Sequence, residues 1–196
     1  IRILRASFTG EMGYEIYVPS NQALKIWEKI ISFGKEFGLM PYGTETMHLL
    51  RAEKGYIIVG QDTDGSITPL DLGLDWMIGK SKKDFIGKRS LIRSDTVRKD
   101  RKQLVGILPT NKNEKLEEGQ HIILDKEIKT PTPMLGHITS CYQSPTLGHN
   151  FALAVIKNGQ SLIGTKAFAS TPELKTIEVE IVEPIFYDKE NTKLAS

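Results

Sequence analysis

The most restrictive feature of this sequence is what its second half lacks. Short extended stretches at 104–108, 121–124, 135–140, 151–156 and 176–182 follow one another with no long helix between them. Gly119, Gly136, Gly148, Gly159 and Gly164 punctuate them, as do Pro109, Pro131, Pro133, Pro145, Pro172 and Pro184. Such residues end strands or confine them to edges. Five or six strands in succession hide their edges best by closing on themselves, so a small antiparallel β-barrel is expected over residues 99–196. In the last stretch Ile177, Val179 and Ile181 alternate with Glu178 and Glu180, which gives it one packed and one wet side.

Residues 1–98 read differently. IRILRASF and YEIYV are extended, with Tyr14, Ile16 and Val18 on one side of the second stretch and Glu15 and Tyr17 on the other. Between them lies Thr9-Gly10-Glu11-Met12-Gly13, where both glycines open backbone angles that other residues avoid. A tight turn there presents Glu11 instead of burying it. Asn21 is the expected cap of a helix whose apolar face is Ala23, Leu24, Trp27, Ile30 and Ile31, with Gly38 marking its end. A second helix should include residues 46–53, with Met47, Leu50 and Lys54 near one face and Gly55 closing it. The order strand, strand, helix, helix, strand predicts an α+β layer in place of repeated βαβ units. Residues 85–92 read as an extended piece, a turn and a short helix. The basic, apolar-poor run 93–102 divides the two lobes. Because Ile1, Ile3 and Leu4 read as strand from the first residue, further chain is expected upstream.

Bulk properties narrow the functional classes. Charged residues make up 26% of the chain, the formal net charge is +2, and no long block of one sign occurs, so no nucleic-acid partner is expected. No apolar run approaches the ~20 residues that span a bilayer, and no membrane partner is expected. Cys141 is the single cysteine; without an internal disulfide to form, it accords with a reducing, cytoplasmic setting. His48, His121, His137 and His149 lack zinc-ligand spacing. Cys141 lacks the context of a nucleophile. The stretch Asp62-Thr63-Asp64-Gly65-Ser66 misplaces its glycine for a calcium loop and has Gly73 where the closing glutamate should be. No Walker or dinucleotide-binding glycine pattern is present. No metal site and no catalytic residue is assigned.

Glu11 is the more informative residue. A carboxylate on an open turn can accept two parallel hydrogen bonds from a guanidine-like heterocycle such as an aminopyrimidinone. Taken alone, it reads first as a surface-turn carboxylate. Tyr56 stands at the junction after the second helix, where it can wall a pocket or pack in a core. Arg51 and Glu53 could meet a ligand tail or serve an internal ion pair.

The separated stretches FTGEMGYEIYVP, PYGTETMHLLRAEKG, VGQDTDG, DFIGKRSL, RKQLVGI, MLGHITSCYQSPTLG and FALAVI, in this order, resemble the folate-binding aminomethyltransferase (glycine-cleavage T-protein) family. Within it they are most similar to the carboxy-terminal region of heterotetrameric sarcosine oxidase alpha subunits. The likeness covers nearly the whole chain. It implies a partial aminomethyltransferase fold: an α/β lobe at 1–98 that forms part of a folate pocket, then a small β-barrel at 99–196. It implies tetrahydrofolate as the cofactor, with Glu11 recognising the pterin, Tyr56 contacting it, and Arg51 at a family arginine position that either meets the ligand or holds its helix. At the position of Met47 the glycine-cleavage members carry a folate-associated arginine, so that contact is not implied here. The family's first lobe, with its acidic residue for one-carbon chemistry, has no counterpart in this chain. By the same resemblance FAD, FMN and NAD belong only to a complete assembly. Its partners would be the remainder of the alpha subunit and the other subunits. The alternatives are a glycine-cleavage-type aminomethyltransferase and a non-catalytic accessory module of the same fold.

Overall fold

Strands β1 (Arg2–Arg5) and β2 (Tyr14–Tyr17) pair antiparallel, with Arg5 opposite Tyr14 and Arg2 opposite Tyr17, in a computed structural model that describes residues 1–195. Helix α1 runs over Ala23–Gly34 and α2 over Thr44–Glu53. The expected Asn21 cap is not formed. Asn21 lies in a single 3-10 turn, Ser20–Gln22, and α1 continues from it without a side-chain cap. The apolar face of α1 is also covered less than its pattern predicts: Ile26, Ile30 and Ile31 are half-buried, whereas Leu24 and Trp27 are 70% and 54% exposed. Gly38 closes this region in the left-handed conformation, as its position predicts.

The strand expected after α2 is replaced by an irregular loop. The groups that would have built a ladder are already used: Tyr56 N–H bonds the Arg51 carbonyl, Arg51 takes the Tyr56 carbonyl, and Ile58 N–H goes to Asp62. Only an isolated bridge between Val59 and Thr63 remains. Residues Lys88–Ile92 form the short helix expected there, as a 3-10 turn entered through Gly87.

The second half closes as its punctuation requires. Strands β3 (Lys102–Pro109), β4 (His121–Ile123), β5 (Gly136–Ser144), β6 (His149–Lys157), β7 (Lys166–Ser170) and β8 (Thr176–Val182) form an antiparallel barrel in the order β3-β6-β5-β4-β7-β8, and β8 returns to β3. Alternate residues fill it: Val105, Ile107, Ile122, Ile138, Ala152, Ala154, Ile156, Ala167, Ala169, Val179 and Ile181 are all fully buried. At ~25 cal/mol per Å² of apolar surface, this interior is the main source of the fold's stability.

Strand β6 is buried on both faces. Its other side, Phe151, Leu153 and Val155, packs with Ala52 of α2, Leu104, Leu49 and Ile57. That explains why FALAVI is continuously apolar where an exposed strand would alternate. A bulge in β5 completes the joint. Ile138 pairs with Ala154 but Ser140 pairs with Leu153, which leaves Thr139 as an extra residue. Thr139 and Ser140 both face outward, and the alternation resumes one residue late. Cys141 therefore packs against the barrel interior, while Thr139, Ser140, Tyr142 and Ser144 all turn toward the first lobe. After the barrel the chain crosses back to that lobe, with Phe186 and Tyr187 N–H bonding the Glu53 carbonyl, and ends its described course in the short helix α3 (Thr192–Ala195).

Candidate functional site

The turn that carries Glu11 is fastened on three sides. Ala6 N–H donates to the Gly13 carbonyl, Gly10 N–H to Ser7 Oγ at 3.0 Å, and Met12 N–H to the Lys193 carbonyl at 3.1 Å. Gly10 has φ +84°, and a Cβ there would fall 1.9 Å from Lys54 Cγ. The backbone thus lies directly on the lysine stem, which only glycine permits. Gly13 has no positive φ, contrary to the expectation for both glycines, but a Cβ on it would meet the Ala6 carbonyl at 2.8 Å. Glu11 itself is exposed, and among the described residues its carboxylate accepts no hydrogen bond and joins no ion pair. Its charge is felt by Glu53, whose carboxyl is raised chiefly by burial and further by Glu11, while the Ser144 hydroxyl at 2.6 Å opposes the shift.

Tyr56 is half-buried just past the end of α2, the same helix end on which Gly10 rests. A cleft of about 560 Å³ begins at the next residue, Ile57, with Val59, Ile67, Leu72, Met77 and Phe85 among its walls. Glu11 and Tyr56 are therefore both placed by the carboxy-terminal turn of α2.

Arg51 lies elsewhere. It is 0% exposed and faces the barrel. Its Nη1 donates to Asp62 Oδ2 at 2.5 Å and to the Tyr56 carbonyl at 3.0 Å; its Nη2 donates to Ser140 Oγ at 2.7 Å and Tyr142 Oη at 3.4 Å. Thr139 and Ser140 hydroxyls donate to Asp62 Oδ1, both at 2.6 Å, and Ile58 N–H to Oδ2 at 2.8 Å. Of the three residues named from sequence, Arg51 is the one whose charged group is turned inward. It holds the α2 end, the Tyr56 carbonyl and the barrel together. A second buried pair joins the lobes further on: Arg101 Nε meets Asp71 Oδ1 at 2.8 Å and Nη2 meets Oδ2 at 2.7 Å. Burial pushes the Asp71 carboxyl up, but the Arg101 and Thr68 bonds outweigh it and hold it below the usual range.

Residues 1–82 match the GCVT N-terminal domain, and residues 102–188 match the glycine cleavage T-protein C-terminal barrel domain. The chain belongs to the glycine-cleavage T-protein family. The sarcosine oxidase subunit alpha of Corynebacterium sp. (strain P-1) is 48% identical over 194 residues, which are 98% of this chain and 20% of that protein. The corresponding subunit of Rhizobium meliloti (strain 1021) is 35% identical, with the same shares covered. An aminomethyltransferase of Thermoanaerobacter pseudethanolicus is 33% identical over 97% of this chain and 50% of its own length. The T-protein fold is also that of the glycine cleavage system aminomethyltransferase T from Bartonella henselae, with a TM-score of 0.80 at 23% identity over 95% of this chain and 50% of that one. This T-protein chain thus spans about a fifth of the sarcosine oxidase relatives and about half of the aminomethyltransferases.

Several residues that organise this T-protein site were not singled out from its sequence. From sequence Asp62 belongs only to a stretch that fails as a calcium loop, and nothing local marks Thr139, Ser140 or Asp188. Arg51 and Asp62 are 11 residues apart, one in RAEKG and the other in VGQDTDG, and the only signal was the internal ion pair that Arg51 could serve. Among the described residues no group of three or more His, Cys, Asp or Glu side chains converges as a metal site.

Proposed function

We propose that this chain is the folate-binding region of a sarcosine oxidase alpha subunit, with Glu11 as the anchor for the pterin ring. The observation that carries the reading is the Glu11 carboxylate: among the described residues neither oxygen has a partner, yet the turn beneath them is fixed by backbone bonds and the Lys54 stem. An aminopyrimidinone offers two parallel N–H donors, and a carboxylate offers the matching acceptors. Tyr56 and the apolar cleft beyond it would limit solvent around the ligand. Arg51 would act behind this surface, setting the Tyr56 backbone. Bound tetrahydrofolate would supply the nitrogens that take up the formaldehyde-level carbon released when sarcosine is demethylated. The protein's contribution would be orientation, which turns an encounter into a local reaction. Identity of 48% to a sarcosine oxidase alpha subunit across 98% of the chain supports this choice within the family. The remainder of the alpha subunit and the other subunits would complete the enzyme and carry FAD, FMN and NAD.

The test is tetrahydrofolate binding by the complete assembly and its Glu11→Gln form. Loss of a charged acceptor should weaken binding about ten- to a hundredfold. Unchanged affinity would remove Glu11 from the site. The 33% identity to aminomethyltransferases keeps a second reading in view. Turnover of a lipoyl-bound aminomethyl group without sarcosine oxidation would reverse the ranking.

A further inference from the structure

Lys54 raises a question that the folate reading leaves open. Its stem supports Gly10, next to Glu11, and it is 3% exposed. The stem passes directly under Gly10, one residue before Glu11, yet among the described residues the ammonium does not pair with the Glu11 carboxylate. Here the Nζ is instead drawn to the segment after the barrel, where the Asp188 carbonyl accepts at 2.7 Å, Asn191 Oδ1 at 2.9 Å and Asp188 Oδ2 at 3.3 Å. Asp188 is itself rigidly placed. Its Oδ1 accepts from the Thr192 hydroxyl at 2.6 Å and the Thr192 N–H at 2.9 Å, and its Oδ2 accepts from Lys193 N–H at 3.1 Å. The same segment returns a bond to the turn, through the Lys193 carbonyl and Met12 N–H.

We infer that Asp188 is a positioning residue for folate binding: with Asn191 it holds the Lys54 ammonium away from Glu11, so that the stem props the turn while the Glu11 carboxylate stays unpaired and open to the ligand. The charge that faces the buried cation is the pre-organised carboxylate of Asp188, beside the Asp188 carbonyl and Asn191 Oδ1. This deepens the proposed function and rests on it.

The distinguishing feature is rescue. In Asp188→Asn the amide keeps the size of the side chain and one acceptor oxygen but loses the negative charge that holds the ammonium. Lys54 is then released toward Glu11, and tetrahydrofolate affinity of the complete assembly should fall about tenfold. Lys54→Met keeps the stem under Gly10 and removes the competing charge. The double variant Asp188→Asn, Lys54→Met should therefore bind within about threefold of Lys54→Met alone. A purely structural role for the pair predicts instead that the double variant is no better than Asp188→Asn. Asn191→Ala, which deletes one of three acceptors, gives a milder version if Asp188→Asn folds poorly, and its loss of affinity should also be recovered by Lys54→Met. Parent-like binding by Asp188→Asn, or no recovery in the double variants, would overturn the inference. The Glu11→Gln form separates the two levels. If it binds like the parent, the folate reading falls and this inference with it; if it is weak while Asp188→Asn is normal, only this inference falls.

Discussion

Asp62 accepts from Arg51, Ile58, Thr139 and Ser140, so both of its oxygens are filled inside the protein. Replacing it with alanine would leave a fully buried guanidinium without its counter-charge. Asp62→Ala should cost about 3–5 kcal/mol of stability, measured as a fall in the denaturant midpoint. Cys141 illustrates the opposite kind of residue. Burial, with help from Glu118, pushes its thiol up to about 11, and the thiol donates to the Leu116 carbonyl at 3.1 Å. The native protein should resist thiol alkylation at pH 8, where only about a thousandth of it is thiolate, and react fully once denatured. A rapid native reaction would contradict this. What was legible at this scale followed distance along the chain. Arg51 sits in a recognisable helix, so its helix-holding role was open to sequence reasoning. Asp62 meets hydroxyls 77 and 78 positions away, and no local pattern encodes that meeting.

Among the elements, the barrel strands with large alternating residues were readable because their period matches a half-buried or fully buried strand. Strand β7 was not anticipated: it places Ala167 and Ala169 inside, and small residues make a weak periodic signal. The α1 start misled for another reason, since the 3-10 turn already supplies a helical entry and Asn21 is not needed as a cap. The segment after the barrel carries a pH prediction. The Asp188 carboxyl is held at about 2, below the ordinary 3.8, first by the Thr192 hydroxyl and then by the backbone N–H groups and Lys54, against the opposing effect of burial. A carboxyl lowered on folding stabilises fully above its unfolded value and loses that contribution as pH falls through its folded one. Docking of this segment should therefore be complete above 3.8 and weaken as pH falls toward about 2. Amide exchange at Met12 would report it, and in Asp188→Asn that acid-dependent step should be absent.

At the scale of the whole molecule the two halves differ in how well they cover themselves. The barrel closes its own core, while the first lobe leaves Leu24, Trp27, Phe33, Phe37, Met40 and Trp76 open. Exposed apolar side chains, where they gather, mark surfaces that pack against other protein. Both tryptophans should be readily quenched by acrylamide in the isolated chain, and Trp27 should become protected in a complete assembly. Equal quenching in both states would show that this face stays wet.

The single extra residue in β5 has a consequence for sequence change. Losing the one codon for Thr139 would make the hydrogen-bonded ladder regular and leave every downstream side chain opposite its present neighbour, since Ile138 already pairs with Ala154 and Ser140 with Leu153. What would go is the local bend of the strand and the Thr139 hydroxyl that donates to Asp62. Such an in-frame deletion should leave the barrel closed and loosen instead the grip of Asp62 on the helix end beside Gly10 and Tyr56.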